Sequence, residues 1–81
     1  MAAYHVEVRA KDGRTVCMVD CEARKVGDIE VVRSGDTFGI LVNGESTAVG
    51  YPTIAEVEEG GFTAHRWPLG STGDPVNLKI T

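Results

Sequence analysis

Eighty-one residues with a formal net charge of −4 make one small domain, 1–81, with room for a single hydrophobic core. No apolar run approaches the ~18 residues of a membrane span, and the acidic balance disfavours non-specific nucleic-acid binding. Met1–His5 lacks the basic and apolar regions of a signal peptide, so the expected setting is the cytoplasm, with Cys17 and Cys21 as reduced thiols.

Tyr4–Ala10 alternates Tyr4, Val6, Val8 and Ala10 against His5, Glu7 and Arg9, the pattern of a half-buried strand. Asp12-Gly13 suits a two-residue turn, and Arg14–Cys21 is the return strand. That loop pairs Val8 with Cys17, Val6 with Val19 and Tyr4 with Cys21, and it faces His5 with Asp20 on the wet side. Val16 and Met18 fall on the same outward face. They imply cover by a later loop or a contact surface.

Glu22–Gly27 is a polar connection, too short for an independent helix. Three strands follow, Ile29–Ser34, Thr37–Val42 and Glu45–Tyr51, joined by Gly35-Asp36 and Asn43-Gly44. Gly first suits a type II′ turn, and Asn-Gly suits type I′, where both central residues need positive φ. Two-residue loops match Arg33 with Phe38, Val31 with Ile40 and Ile29 with Val42. Across the second turn they match Ile40 with Thr47 and Phe38 with Val49. Ile29, Val31, Phe38, Ile40 and Val42 then share one face. The other face holds Glu30, Val32, Gly39 and Leu41, whose apolar members call for cover from the chain or from a second copy.

Pro52–Gly61 carries two patterns. Thr53-x-x-Glu56 with Gly60 spells a capped helix of about six residues. The rival is a strand pair turning at Glu58–Gly61, with Val57 opposite Phe62. Phe62–Trp67 is a strand in either case, Pro68–Pro75 is a loop by composition, and Val76–Ile80 alternates as a last strand. Together these segments predict a mainly β fold. It is a small antiparallel meander closing into a barrel or compact sandwich, with at most one short helix near 54–59.

The chain carries no assembled catalytic, cofactor or metal set. Cys17 and Cys21 would lie about 13 Å apart along a strand at ~3.3 Å per residue, too far to share a zinc or a disulfide, and His5 points away from both. His5 and Asp20 could form an acid–base pair, but no nucleophile accompanies them. Leu69-Gly70-Ser71-Thr72-Gly73 lacks the lysine and the helix of a phosphate loop. Residues 15–42, TVCMVDCEARKVGDIEVVRSGDTFGILV, resemble the second half of a biotinyl or lipoyl carrier domain, in which an apolar strand leads into a modified lysine and then a return strand. The resemblance would place Lys25, within Glu22-Ala23-Arg24-Lys25-Val26, at the modified position, although Arg24 and Val26 stand where the family has methionines.

Charge gives the remaining signal. Residues 34–65 hold Asp36, Glu45, Glu56, Glu58 and Glu59 and no Lys or Arg, while the remainder carries eight bases against seven acids. This acidic block predicts steering toward a basic surface of a partner protein. Arg66 and Trp67, at a strand's end beside the longest loop, would add an anchor, unless Trp67 is a lid over the core. The expected function is a non-enzymatic protein-binding module of the build shared by small phage and mobile-element inhibitors of nucleic-acid machinery. Such a module would be a monomer or a homodimer; the alternative is a structural subunit that builds a ring or shell, such as a virion component, through Val16, Met18, Val32 and Leu41.

Overall fold

A computed structural model describes residues 2–81. The chain forms β1 (Ala2–Arg9), β2 (Thr15–Ala23), a 3-10 turn (Val26–Asp28), β3 (Ile29–Ser34), β4 (Thr37–Val42), β5 (Glu45–Gly50), α1 (Ile54–Glu59), β6 (Thr63–Pro68) and β7 (Val76–Leu78). The strands make two antiparallel sheets, ordered β2-β1-β6-β7 and β3-β4-β5. The short axis of the molecule is 16 Å, two sheets thick.

The sheets face each other across a core of Val6, Val8, Cys17, Ile29, Val31, Phe38, Ile40, Val42 and Ala64. Phe38 and Ile40 are fully buried between Val31 on one side and the first sheet on the other. Of the two closures left open by the sequence, the structure takes the sandwich. One seam is tied where the chain leaves β7: Ile80 bridges Val31 in parallel, and the Thr81 amide donates to the Val31 carbonyl at 3.0 Å. At the other seam β5 meets β2 closely at Gly50. A Cβ built there would lie 2.5 Å from the Val16 carbonyl oxygen. The two strands do not hydrogen-bond into one sheet, so no barrel forms.

The registers of β1 on β2 and of β3 on β4 are those the turns predict, including Val8 opposite Cys17 and Ile29 opposite Val42. Two details differ. The first hairpin turns on three residues, with Gly13 at φ 94 and the Ala10 amide bonded to the Arg14 carbonyl. A bulge at Val16 then restores the pairing of Val8 with Cys17. The bulge also turns Val16 onto the core, so it does not share the outward face of Met18, which is 60% exposed. In β5 a second bulge follows the Asn43-Gly44 turn. Ile40 therefore opposes Ala48, and Phe38 opposes Gly50 rather than Val49. The Thr47 hydroxyl donates to the Ile40 carbonyl at 2.9 Å and holds this bulge. No turn residue announces either insertion, which is why two-residue counting misses them.

Residues 54–59 are helical, not a strand pair. Thr53 accepts the Glu56 amide, the Glu56 carboxylate accepts the Thr53 amide, and Gly60 closes the helix at φ 69. Glu58 and Glu59 do sit at the unfavourable end of the dipole. The helix holds because Arg14 grips Glu56 through two bonds of 2.7 and 2.6 Å. β2 and β3 belong to different sheets, so the return strand implied by the carrier resemblance does not pair with β2. Lys25 sits at the start of the 3-10 turn in the crossover between sheets. Among the described residues no helix is long and apolar enough to cross a membrane.

Candidate functional site

The outer face of the three-stranded sheet is built by alternation. Once Val31, Phe38 and Ile40 face the core, Val32, Gly39 and Leu41 must face out. The bulge in β5 adds Val49 to this face, opposite Gly39, in place of an inward position. Val49 is 50% exposed, and Tyr51, two residues further on, is 74% exposed. A Cβ on Gly39 would stand 3.5 Å from Val32 Cγ2 and 3.9 Å from Leu41 Cδ1, so the glycine leaves a shallow notch between them. Ile54, the first residue of α1, is 81% exposed beyond the strand's end.

Among the described residues one acidic side chain lies on this face, and others sit at the sheet's turns and on α1, which is tied to Lys11 and Arg14 of the β1–β2 hairpin. Glu30 lies directly opposite Leu41 on the same face. β4, β5 and α1 all fall within residues 34–65 and contain no Lys or Arg. Asp36 occupies the β3–β4 turn and Glu45 begins β5 after the opposite turn, so the length of β4 separates them. Glu58 and Glu59 are exposed on α1, with Lys11 Nζ 4.0 Å from Glu59. Glu56 is different: it is buried, bidentate with Arg14 and part of the helix cap. The Arg14 hydrogen bonds and the Thr53 amide hold its carboxyl down at about 2. Glu56 is thus a fold-holding residue, although the sequence grouped it with its exposed neighbours.

Arg66 and Trp67 lie on the other sheet and point to opposite sides of β6. Arg66 opposes Val6 on the inner face, with its guanidinium 5.3 Å from the Tyr4 ring centroid. Its Nε is buried without a hydrogen-bond partner among the described residues. Trp67 opposes His5 on the outer face. There it is a half-buried pad among His5 (5.6 Å), His65 (6.0 Å) and the Arg9 guanidinium (5.3 Å), and it does not cover the core. The sequence's candidate residues are therefore distributed over two faces and two turns, and no single surface gathers them.

The same outer face carries a polar network centred on His5. Its Nδ1 bonds Asp20 at 2.5 Å and its Nε2 bonds Glu7 at 2.7 Å. Two carboxylates require two N–H donors, so the ring is held as the imidazolium. The Asp20 bond raises the His5 pKa above 6.5; partial burial opposes this, and Glu7 adds to it. Glu7 also accepts from Arg9 Nε at 2.9 Å and from the Thr15 hydroxyl at 3.0 Å. Burial pushes its carboxyl up, but the bonds from Arg9, His5 and Thr15 outweigh that and hold it at about 2. His5 facing Asp20 follows from the first hairpin. Glu7 was visible two residues along the same strand face, while Trp67 becomes a neighbour only through the non-local pairing of β1 with β6.

These shifts predict opposite pH dependences. The His5 contribution to stability is complete below pH 6.5, its unfolded value, and is lost as pH rises through the raised folded value. The Glu7 contribution is complete above pH 4.5 and fades as pH falls toward about 2. His5→Gln is expected to remove the alkaline loss and leave the acid loss in place. Urea midpoints measured from pH 3 to 9 check this, and an unchanged alkaline slope in the variant would refute the imidazolium assignment.

Both thiols are unbridged. Burial pushes the Cys17 and Cys21 thiols up, away from the reactive thiolate. Among the described residues no group of three or more His, Cys, Asp or Glu side chains is placed to hold a metal ion. Comparison with models of known protein families, with characterised proteins and with solved structures finds no match to this chain.

Proposed function

We propose that the chain is a non-enzymatic binding module that docks on another protein through the outer face of β3-β4-β5. The observation that carries this reading is the exposed pair Val49 and Tyr51, beside a face that also holds the half-buried Val32 and Leu41 around the Gly39 notch. An 81-residue domain gains nothing for its own fold by exposing Tyr51 at 74%. Tyrosine, by contrast, is favoured at interface centres because a rigid amphipathic ring loses little entropy on docking.

The partner is a protein that offers an apolar patch framed by lysines and arginines. Glu30, Glu45, Asp36, Glu58 and Glu59 supply the complementary charge, and no cation within residues 34–65 opposes it. Basic protein surfaces commonly serve nucleic acids, so covering one would inhibit the partner. Glu56 does not belong to the docking set, since its carboxylate is held by Arg14. Unbridged Cys17 and Cys21 support a reducing, cytoplasmic setting.

The test is capture of the partner from lysate of the native cells, on immobilised wild type and on two variants. Val49→Asp combined with Tyr51→Ala should abolish capture while leaving the fold intact, because both residues are exposed. Glu58→Lys combined with Glu59→Lys should weaken it at low salt and matter less as screening rises. Equal capture by the Val49/Tyr51 variant would sink the proposal. A wild type that sediments as a stable ring, dispersed by Val49→Asp, would convert it to the structural-subunit reading.

A further inference from the structure

Where the two sheets part beside the β3–β4 turn, a cleft of about 560 Å³ opens, lined by Arg33, Phe38, Phe62, Ile80 and Thr81. That volume is in the range of small-molecule sites. The half-buried Phe62 and Ile80 supply its apolar surface, the fully buried Phe38 lies beneath them, and Arg33 is its one charged side chain.

Arg33 is fixed from three sides. Its guanidinium carbon stands 5.3 Å from the Phe38 ring centroid and 5.4 Å from that of Phe62, and Nε donates to the Gly35 carbonyl at 3.0 Å. The two rings brace each other at 4.6 Å. Among the described residues no carboxylate pairs with this guanidinium; Arg24, Lys25, Arg66 and Lys79 are likewise without one, and what sets Arg33 apart is that it lies over two rings at the mouth of a cleft. In a chain with twelve acids against eight bases, an arginine held by aromatic rings and left without an acid is a preorganised receptor. The neighbouring Thr81 oxygen does not satisfy the guanidinium, because it takes the Arg33 backbone amide at 2.9 Å.

We infer that this cleft binds a small monocarboxylate with a flat apolar body, its two oxygens on the terminal nitrogens of Arg33 and its body against Phe62 and Ile80. A planar guanidinium matches a carboxylate through two parallel bonds. The lining offers no second cation, so a doubly charged phosphate would be left under-neutralised. The site lies in the gap between the sheets and does not include Val49 or Tyr51, although the β3–β4 turn beside it also carries Asp36 of the docking set.

Phenylacetate is the probe, titrated into ¹⁵N-labelled protein, with phenylacetamide and inorganic phosphate as comparison arms. Phenylacetate should give saturable shifts at Gly35, Gly61, Phe62, Thr81 and the Arg33 Nε–H. Phenylacetamide, of the same shape without the charge, should bind at least about tenfold more weakly, as should phosphate, which lacks the apolar body. Arg33→Met should abolish the shifts while its spectrum elsewhere stays native. Arg33→Lys, which keeps the charge but loses the fork and the stacking, should weaken binding about fivefold or more. Equal binding of the amide or of phosphate, unaltered binding by Arg33→Lys or Arg33→Met, or no saturable shift with phenylacetate would each overturn the inference.

Discussion

Replacing Gly50 with alanine is expected to cost about 2–3 kcal/mol, the upper part of the range for overpacking a tight contact. In an ordinary strand the same change would help, because glycine weakens strands. Here the added Cβ would lie 2.5 Å from the Val16 carbonyl oxygen, 2.7 Å from Cys17 Cβ and 2.9 Å from the Val16 carbonyl carbon. Two of those atoms are backbone, held in place by the bulge and the β1–β2 ladder, so no rotamer change relieves the clash. Relief requires β5 to move off β2, which opens the seam over Cys17. Against a total of roughly 4–12 kcal/mol for a chain of this length, the loss should lower Tm by roughly 10–20 °C. Urea unfolding should show a lower midpoint at unchanged m. Gly39→Ala is the control: its Cβ meets nothing closer than 3.5 Å, and the change should stay within ~0.5 kcal/mol. Equal stability of the two variants would mean that β5 does not approach β2 as described.

Phe38→Ala is expected to have the largest effect of any single truncation, about 3–5 kcal/mol. Phe38 is fully buried, packs on Phe62 at 4.6 Å and supports the Arg33 guanidinium. Truncation leaves a cavity at the point where the two sheets and the segment before β6 meet, and those three walls cannot collapse together. At the low end of the stability range this unfolds the chain outright. Phe38→Leu keeps most of the volume and should cost less than half as much. The measurement is urea unfolding followed by near-ultraviolet circular dichroism. A Phe38→Ala protein as stable as the Leu variant would show that the ring is not the centre of the core. Because Phe38 also braces Arg33, Phe38→Leu should weaken phenylacetate binding even though it folds.

Much of the architecture was legible because it is local. Asn43-Gly44 and Gly35-Asp36 dictate reversals through positive φ, seen at Gly35, Asn43 and Gly44. Alternation from those turns places Ile29, Val31, Phe38, Ile40 and Val42 in the core, where they are buried. The helix at 54–59 was legible as a capping box but tied with a strand pair. The contact that favours it, Arg14 on Glu56, joins residues 42 apart in the chain. The candidate site was legible in part. Val32 and Leu41 followed from alternation, but Val49 came to the same face only through the bulge at Thr47. The acidic block read as one patch because its members are close in sequence. Strand length puts Asp36 and Glu45 at opposite ends, and the cap withdraws Glu56 altogether.

By itself, then, the sequence determined what depends on neighbours along the chain: where the strands reverse, the alternation up to each bulge, the capping-box pattern that made a helix one of two options at 54–59, and a stretch of 32 residues without a cation. Only the tertiary structure decided which strands share a sheet, because β6 adding to β1 and Ile80 meeting Val31 are pairings between distant segments whose free energy no local residue carries. It also decided which charges are free. A carboxylate is a docking group or a structural one according to whether an arginine from elsewhere in the fold reaches it, as Arg14 reaches Glu56 and nothing reaches Glu58 among the described residues.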